Sequence, residues 1–595
     1  MKGTSVGFDS DPEGVVMDNR SAPAASSLDQ HSPRALWRSV FREERFFLVL
    51  SVFIGVFSGL AIVCFRFAID WSRLYLLGTG AALTPERMLL APTLAGLVIA
   101  ALVIHFFPRT RGSGVNQTKA ALYIYNGYIP FRTAIGKFIT AALAIGSGHS
   151  LGPEDPSLQI GACLASVLGR KMRLSRDRMR LIAPVGAAAG LAAAFNAPIS
   201  AVLFVIEEVI GRWTAGILGS VVLSAVSSVV VMRWFLGSES LFRIPAVELK
   251  RPTELIAYAI LGVVGGLASV AFASGIQVLR PRCKALPRWT QYFQPAIAGL
   301  LIGIIARLGA PQVMGAGYEY IDQAMHGQFT WEFLAILAGL KIIATLLSFV
   351  SGTPGGMFAP TLFIGAMLGA AVGGAEHMLV PQLTVSPGTY ALVGMGVLFA
   401  GFLRVPMTSV FMVLEVSGNY SIIVPVIVAN TVAYVIARGL QPIALFDMLT
   451  RQDGIDLPSM EEQREEGILR VEDAMREAEG TVLDADNSVD QALREVDHSE
   501  AGEVLVRLGP GGWSSVTKRE LLGFVAEGKG ASSLGPLLPV RNVPYLHPDL
   551  PLETALRYVD RWAVVPVVSR ADFGHLEGVI TQRDVLERYR EFGEG

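Results

Sequence analysis

Residues 46–65, FFLVLSVFIGVFSGLAIVCF, and 88–107, MLLAPTLAGLVIAALVIHFF, each run for 20 positions without Asp, Glu, Lys or Arg. A helix of about 20 residues is what crosses a hydrocarbon core. Inside that core no water is available to backbone N–H and C=O groups, so only helices or a closed barrel can span it. Further apolar stretches lie at 214–232, 253–275, 289–306, 329–350 and 421–437. A multi-span α-helical membrane protein follows, several of whose segments are too short or too broken by Gly and Pro to be plain crossings. The composition agrees, with 52% hydrophobic and 17% charged residues, against about 25% charged in a soluble domain.

The net charge of −2 excludes no class of partner, and no nucleic-acid partner is expected. Cys64, Cys163 and Cys283 have no paired spacing, so neither a disulfide nor a metal site is expected. Residues 1–35 are polar and rich in Ser, Pro and Asp, and they lack the apolar core of a cleavable signal; they read as a disordered tail. Arg34, Arg38, Arg42 and Arg45 precede the first apolar segment, and Arg109 and Arg111 follow the second. By the positive-inside rule both ends of that hairpin, and with them both termini, are expected on the cytoplasmic side of a plasma (inner) membrane.

The membrane region repeats. PSLQIGACLAS at 156–166 matches PTLFIGAMLGA at 360–370, and PISAVLFVIEE at 198–208 matches PMTSVFMVLEV at 406–416. Two matches in the same order imply two homologous halves, about 46–236 and 253–440, and transporters built this way commonly hold their binding site between the halves. Glu207 pairs with Glu415, which suggests a carboxylate serving the shared fold. Glu208 instead faces Val416, and Glu154 faces Phe358; both acids break the symmetry.

Three Gly-rich stretches read as helix starts within the membrane: GSGVN at 112–116, GPEDP at 152–156 and GGMFAP at 355–360. Gly112, Gly114, Gly152, Gly355 and Gly356 would let the backbone approach a ligand, and the following helix would present N–H groups with partial positive charge. Any one of these is equally an ordinary capped helix, and Asp155–Pro156 fits an N-cap acid with a first-turn proline. Together, aimed at one point, they would hold an anion without the full positive charge that would bind it too tightly for conduction.

These motifs resemble the CLC family of chloride channels and proton-coupled chloride transporters. GSGVN stands where the family has GSGIP, GPEDP where it has G(K/R)EGP, and GGMFAP fits GxFxP. FNAPISAVLFVIEE at 195–208 is similar to the segment leading to the family's internal proton-handling glutamate. The resemblance implies an inverted repeat of tilted, broken helices over 36–446, working as a homodimer in the lipid bilayer with one anion pathway per subunit. It implies that Ser113 and the N–H groups of Met357 and Phe358 bind chloride, that Glu154 is the external gate, and that Glu208 is the internal proton acceptor. Burial favours the neutral form of such an acid and helix N-termini favour the charged form, so an acid held between the two can alternate with chloride for one site.

Three positions depart from the pattern. Pro153 removes a basic residue before the gate, and Asp155 replaces a glycine after it. Asp155 is either its helix's own cap or a modifier of the gate. The family's pathway tyrosine falls on Phe446 in LQPIALFDML, which would remove one hydroxyl donor to chloride. Asn116 for proline is a milder change, and Ser113 argues against the nitrate-preferring and fluoride-exporting branches.

After a linker at 447–465 the chain becomes charged, alternating short Val/Ile runs with amphipathic stretches. VEDAM at 471–475, LHPDLPLETALRYVDRWAVVPVV at 546–568 and LEGVITQRDVLERY at 576–589 resemble a pair of CBS domains, expected at 466–530 and 531–595. The resemblance makes Thr581 and Asp584, with Thr517 and Glu520 as the weaker copy, candidate adenine-nucleotide contacts, though each pair is equally a capping box. No other cofactor is required. The function expected is proton-coupled chloride antiport, with a passive chloride channel of the same fold as the alternative. A membrane enzyme with this tail would need a metal-binding HExxH helix, and none of the eight histidines sits in one. A cation transporter should line its pore with several acids, and the membrane region has few.

Overall fold

The structure, a computed structural model, describes residues 33–78, 84–211, 215–238, 242, 252–380, 387–454, 469–478, 482–497, 502–509, 512–538, 543–569 and 575–594. The expected disordered tail therefore lies outside the described residues up to position 32. The first half comprises α1 (Pro33–Leu76), α2 (Pro85–His105), α3 (Val115–Tyr123), α4 (Phe131–Gly146), α5 (Glu154–Lys171), α6 (Arg176–Phe195), α7 (Pro198–Phe204) and α8 (Ala215–Leu236). The second repeats the series: α9 (Glu254–Ala285), α10 (Gln294–Arg307), α11 (Tyr318–Met325), α12 (Trp331–Val350), α13 (Phe358–Leu379), α14 (Pro387–Leu403), α15 (Pro406–Ser417) and α16 (Ile423–Leu440). Eight helices among the described residues are long and apolar enough to cross a membrane. Several others, such as α3, α7 and α11, are far too short, as the broken sequence predicts. A last helix, α17 (Leu445–Gln452), crosses the boundary expected at residue 446. Residues 455–468, most of the expected linker, are outside the described set.

The halves pack as equivalents. α5 lies on α6 through Gly161 against Gly186, and α13 lies on α14 through Gly365 against Gly394; a Cβ at any of these would overlap the facing backbone. Small residues allow this close approach where lipid supplies no hydrophobic drive. Between the halves, Gly152 and Gly356 exchange N–H···O=C bonds of 2.8 Å in both directions.

Charged side chains make equivalent bonds in the two halves. Glu207 accepts from the Met407 and Thr408 N–H groups at 3.2 and 2.8 Å and from the Thr408 hydroxyl, at the start of α15. Glu415 accepts from the Ile199 and Ser200 N–H groups at 3.0 and 2.7 Å and from the Ser200 hydroxyl, at the start of α7. Each half thus caps a helix of the other, the shared structural role that the Glu207/Glu415 match suggests. Lys137 donates its buried ammonium to the Thr110 and Gly112 carbonyls, and Lys341 does the same for Val313 and Gly315. The two amines brace the Gly-rich turns before α3 and α11.

The tail contains α18 (Val471–Ala474), β1 (Val482–Asp484), α19 (Val489–Val496), β2 (Glu503–Gly509), β3 (Gly512–Thr517), α20 (Lys518–Ala526), α21 (Leu552–Val559), β4 (Val565–Val568), β5 (Leu576–Ile580) and α22 (Gln582–Glu594). β1 pairs parallel with β2, β2 antiparallel with β3, and β4 antiparallel with β5. The boundary expected between 530 and 531 is crossed twice. Leu469 and Val471 enter the core of the second unit, with Leu546, Leu552 and Val565, while Leu534 and Leu538 enter the core of the first, with Val489 and Val504. Alternating apolar residues locate strands, but they do not say which of two similar cores a flanking segment joins. Trp513, Val543, Val564 and Val579 form a third cluster spanning both units.

Replacing Glu207 or Glu415 by Ala leaves the first N–H groups of α15 or α7 without their side-chain acceptor, a loss of about 0.5–2 kcal/mol each. Thermal unfolding in detergent should show comparable downward shifts for the two variants, with Glu207→Gln recovering part of the loss; unchanged midpoints in both would reject the reciprocal caps.

Candidate functional site

The three sequence motifs do open helices. α3 begins after Gly114, whose φ of 116° suits glycine, α5 begins at Glu154 after Pro153, and α13 begins at Phe358 after Met357. A fourth start, Gly315-Ala316-Gly317 before α11, is the second-half counterpart of Gly112-Ser113-Gly114 and was not foreseen from the sequence. It brings in Tyr318, whose hydroxyl donates to Glu154 Oε1. The signal was present, since GAG precedes Tyr318 as GSG precedes Val115.

Glu154 is fully buried and also accepts from the Ala359 N–H at 3.2 Å. Asp155, equally buried, is not the cap of its own helix: Pro153 holds that position. Its Oδ2 accepts from the Met357 N–H at 2.8 Å, so the acid caps α13 from across the repeat. The Met357 N–H expected to bind chloride is thus donated to Asp155 in this structure. The Ser113 oxygen accepts from the Val115 N–H at 3.3 Å within its own turn. Phe358 follows Met357, and its ring is enclosed by Phe204, Phe399, Phe195 and Phe446 at centroid distances of 4.9, 5.3, 6.1 and 6.4 Å. Phe446 therefore stands beside the α13 start, where its ring contributes apolar surface and no hydroxyl.

Glu208 lies in a single π-helical stretch, Val205–Ile210. Such a widened turn often marks a functional segment. It sends Glu207 to α15 while Glu208 meets Lys119, whose Nζ is 2.8 Å from Glu208 Oε1 and 3.0 Å from Asp447 Oδ1. Lys119 and Asp447 were missed by motif reading, although a lysine within the membrane region is itself a functional signal. One cation facing two carboxylates leaves one negative charge in excess, which a single proton can neutralise.

Two cavities flank this region. One of about 250 Å³ is lined by Arg66, Arg73, Pro153, Gly317, Tyr318 and Glu319, directly beside the Glu154 neighbours. The other, of about 440 Å³, carries Arg109, Arg111, Arg280 and Lys284 against Asp453, and reaches Gly112 and Gln159. Asp453 ends α17 and pairs with Arg280 at 2.8 Å and with Lys284 at 2.5 Å, so this basic cavity lies on the side from which the tail departs. In the tail, Thr517 with Glu520 and Thr581 with Asp584 form capping boxes, hydroxyl on carboxylate at 2.9 and 2.6 Å.

The model of the voltage gated chloride channel family matches residues 95–438, from α2 through α16. The chain belongs to the CLC family. A CBS domain model also matches residues 534–591, so the tail contains a CBS domain. Among relatives, a protein of Ralstonia nicotianae named as ClcB-like and as a chloride channel protein is 32% identical, covering 66% of this chain and 94% of the relative. An H(+)/Cl(−) exchange transporter ClcA of Vibrio campbellii is 32% identical, covering 67% of this chain and 87% of the relative. The crystal structure of a slow cyanobacterial Cl−/H+ antiporter superimposes with a TM-score of 0.64 at 25% identity, over 70% of this chain and 99% of that one. The CLC fold and the multi-pass membrane assignment follow.

Removing one partner of a buried ion cluster typically costs about 3–5 kcal/mol. Lys119→Met should therefore lower the unfolding midpoint sharply, and combining it with Glu208→Gln and Asp447→Asn should restore most of the loss. Strictly additive losses would show that the three groups do not act as one cluster.

Proposed function

We propose that this CLC protein exchanges chloride for protons across the plasma (inner) membrane, both termini cytoplasmic, as a homodimer with one pathway per subunit. The observation that carries the reading is the separation of two buried acid sites by an apolar cluster: Glu154 at the facing starts of α5 and α13, and Glu208 with Lys119 and Asp447. A passive pore needs only the first. The second provides a place for a proton on the tail side, reached independently of the anion.

In this mechanism chloride arrives through the basic cavity, where Arg109, Arg111, Arg280 and Lys284 concentrate anions, and is held by the Ser113 hydroxyl and the N–H groups at the start of α13. Glu154 occupies the outer seat while charged, held by Tyr318 and Ala359. A proton makes it a poorer acceptor, it leaves, and its two donors become available to chloride. The proton then exchanges with Glu208 across the Phe358 cluster, which keeps water and free anion leakage low. The relative named as a chloride channel protein favours a passive channel as the second reading.

Reconstitution into liposomes discriminates the two. A chloride gradient should drive proton movement in the wild type; Glu208→Ala should abolish it while chloride flux persists. Proton coupling that survives Glu208→Ala would remove Glu208 from the mechanism, and absent chloride flux in the wild type would remove the function.

By the same logic of available donors we infer an adenine nucleotide between the two CBS-like units of the tail, with Thr581 and Asp584 at its rim. Both side chains would have to release their capping box. ATP or AMP should then raise the unfolding midpoint of the full-length protein, and Asp584→Ala should erase the shift; no shift with either nucleotide would leave the tail without that ligand.

A further inference from the structure

We propose that Asp155 is a built-in competitor of the transported anion: it closes the central site by holding the Met357 N–H and opens it by turning to Gln159. This rests on the chloride reading above and adds a second, independent acid to the pathway.

The closed position is the one observed. Asp155 Oδ2 accepts from the Met357 N–H at 2.8 Å, and the side chain is wholly buried. Its other oxygen, Oδ1, is buried and makes no hydrogen bond among the described residues. Gly356 makes room for the acid, because a Cβ there would stand 2.7 Å from Oδ2 and 2.9 Å from Cγ. One N–H cannot serve a carboxylate and a chloride together, and two anions this close repel strongly in a poorly screened interior. Occupancy of the site by chloride therefore requires the carboxylate to leave.

The open position is provided one turn along the same helix. Gln159 is fully buried, and both its Nε2 and its Oε1 lack hydrogen-bond partners among the described residues. Residues four apart on a helix are neighbours, and Asp–Gln pairs at this spacing hydrogen-bond. A side-chain rotation thus takes the Asp155 carboxylate from the Met357 N–H to the Gln159 amide, satisfying a donor that is otherwise orphaned. Gln159 also lines the basic cavity beside Gly112, so the open position lies toward the route by which the anion arrives. The equivalent positions of the second half are Ala359 and Phe363, and Pro153, the counterpart of Met357, has no N–H for residue 359 to accept, so this acid contact belongs to the first half alone.

Chloride titration calorimetry on the purified full-length protein in detergent tests this. Asp155→Ala removes the competitor, and the Kd for chloride should fall at least about tenfold, the ratio carried by 1.4 kcal/mol. Asp155→Asn, which keeps the shape and loses the charge, should also tighten binding, and it covers the case in which the alanine variant does not fold. Gln159→Leu removes the open position and should weaken binding in the wild-type background, yet have no effect when Asp155 is Ala. That dependence separates competition from a packing effect. Equal Kd values, within twofold, for wild type and both Asp155 variants overturn the proposal, as does a Gln159→Leu effect that persists in Asp155→Ala. Absence of chloride binding in every variant instead overturns the chloride reading on which it rests.

Discussion

A helix that starts inside a membrane exposes N–H groups that no water can reach, and the architecture of this protein follows from how those groups are satisfied. α5 and α13 start at buried residues, Glu154 and Phe358, and α7 and α15 start where the two halves meet. At α7 and α15 the acceptors are Glu415 and Glu207, each supplied by the opposite half. Neither helix could therefore sit where it does without the other half in place, which ties the repeat into one body. At α13 the acceptors are Asp155 and Glu154, from the first half alone, and there the arrangement loses its symmetry.

The unpaired carbonyls before the helices are handled by the complementary charge. Lys137 and Lys341 each spend a buried ammonium on two carbonyls of a Gly-rich turn, fixing the entrance to α3 and α11. A methylene chain ending in three donors suits this because it can reach a turn from a neighbouring helix and bridge two acceptors at once. The site is thus built on helices whose starts are held by side chains rather than on loops, and the acids that could move are set against a rigid frame.

Much of the fold was legible because hydrocarbon thickness and backbone satisfaction leave few options. The apolar runs located the long helices, the repeat located the halves, and Glu207 with Glu415 announced a shared structural bond. What was not legible were contacts made across the repeat. Asp155 followed by Pro156 is a good local cap, so local chemistry pointed to its own helix; the Gly152–Gly356 pairing brings α13 close enough to take it instead. Lys119 and Asp447 are 328 residues apart, and no short motif links them. Tyr318 was hidden by a weak match, GAGYE against GSGVN, in which only the glycines persist. In the tail, strand pattern found both units but not the exchange of flanking segments between their cores.

The two halves also separate what the scaffold needs from what transport would need. Where they agree, as at Glu207 and Glu415, Lys137 and Lys341, or Gly161 and Gly365, the residue satisfies backbone or lets helices approach, and its effect is the same on both sides. At five positions where they differ the first half carries the polar member, Ser113 against Ala316, Glu154 against Phe358, Asp155 against Ala359, Gln159 against Phe363 and Glu208 against Val416, while Tyr318 against Val115 runs the other way. The starts of α5 and α13 have similar backbone angles, whereas Glu208 sits in a π-helical turn and Val416 in the α-helix α15. Burying five polar or ionisable groups where five apolar ones would pack costs stability in a medium of low polarity. Placing them in one half breaks the pseudo-symmetry, and the unequal half then offers an anion or a proton successive places to rest.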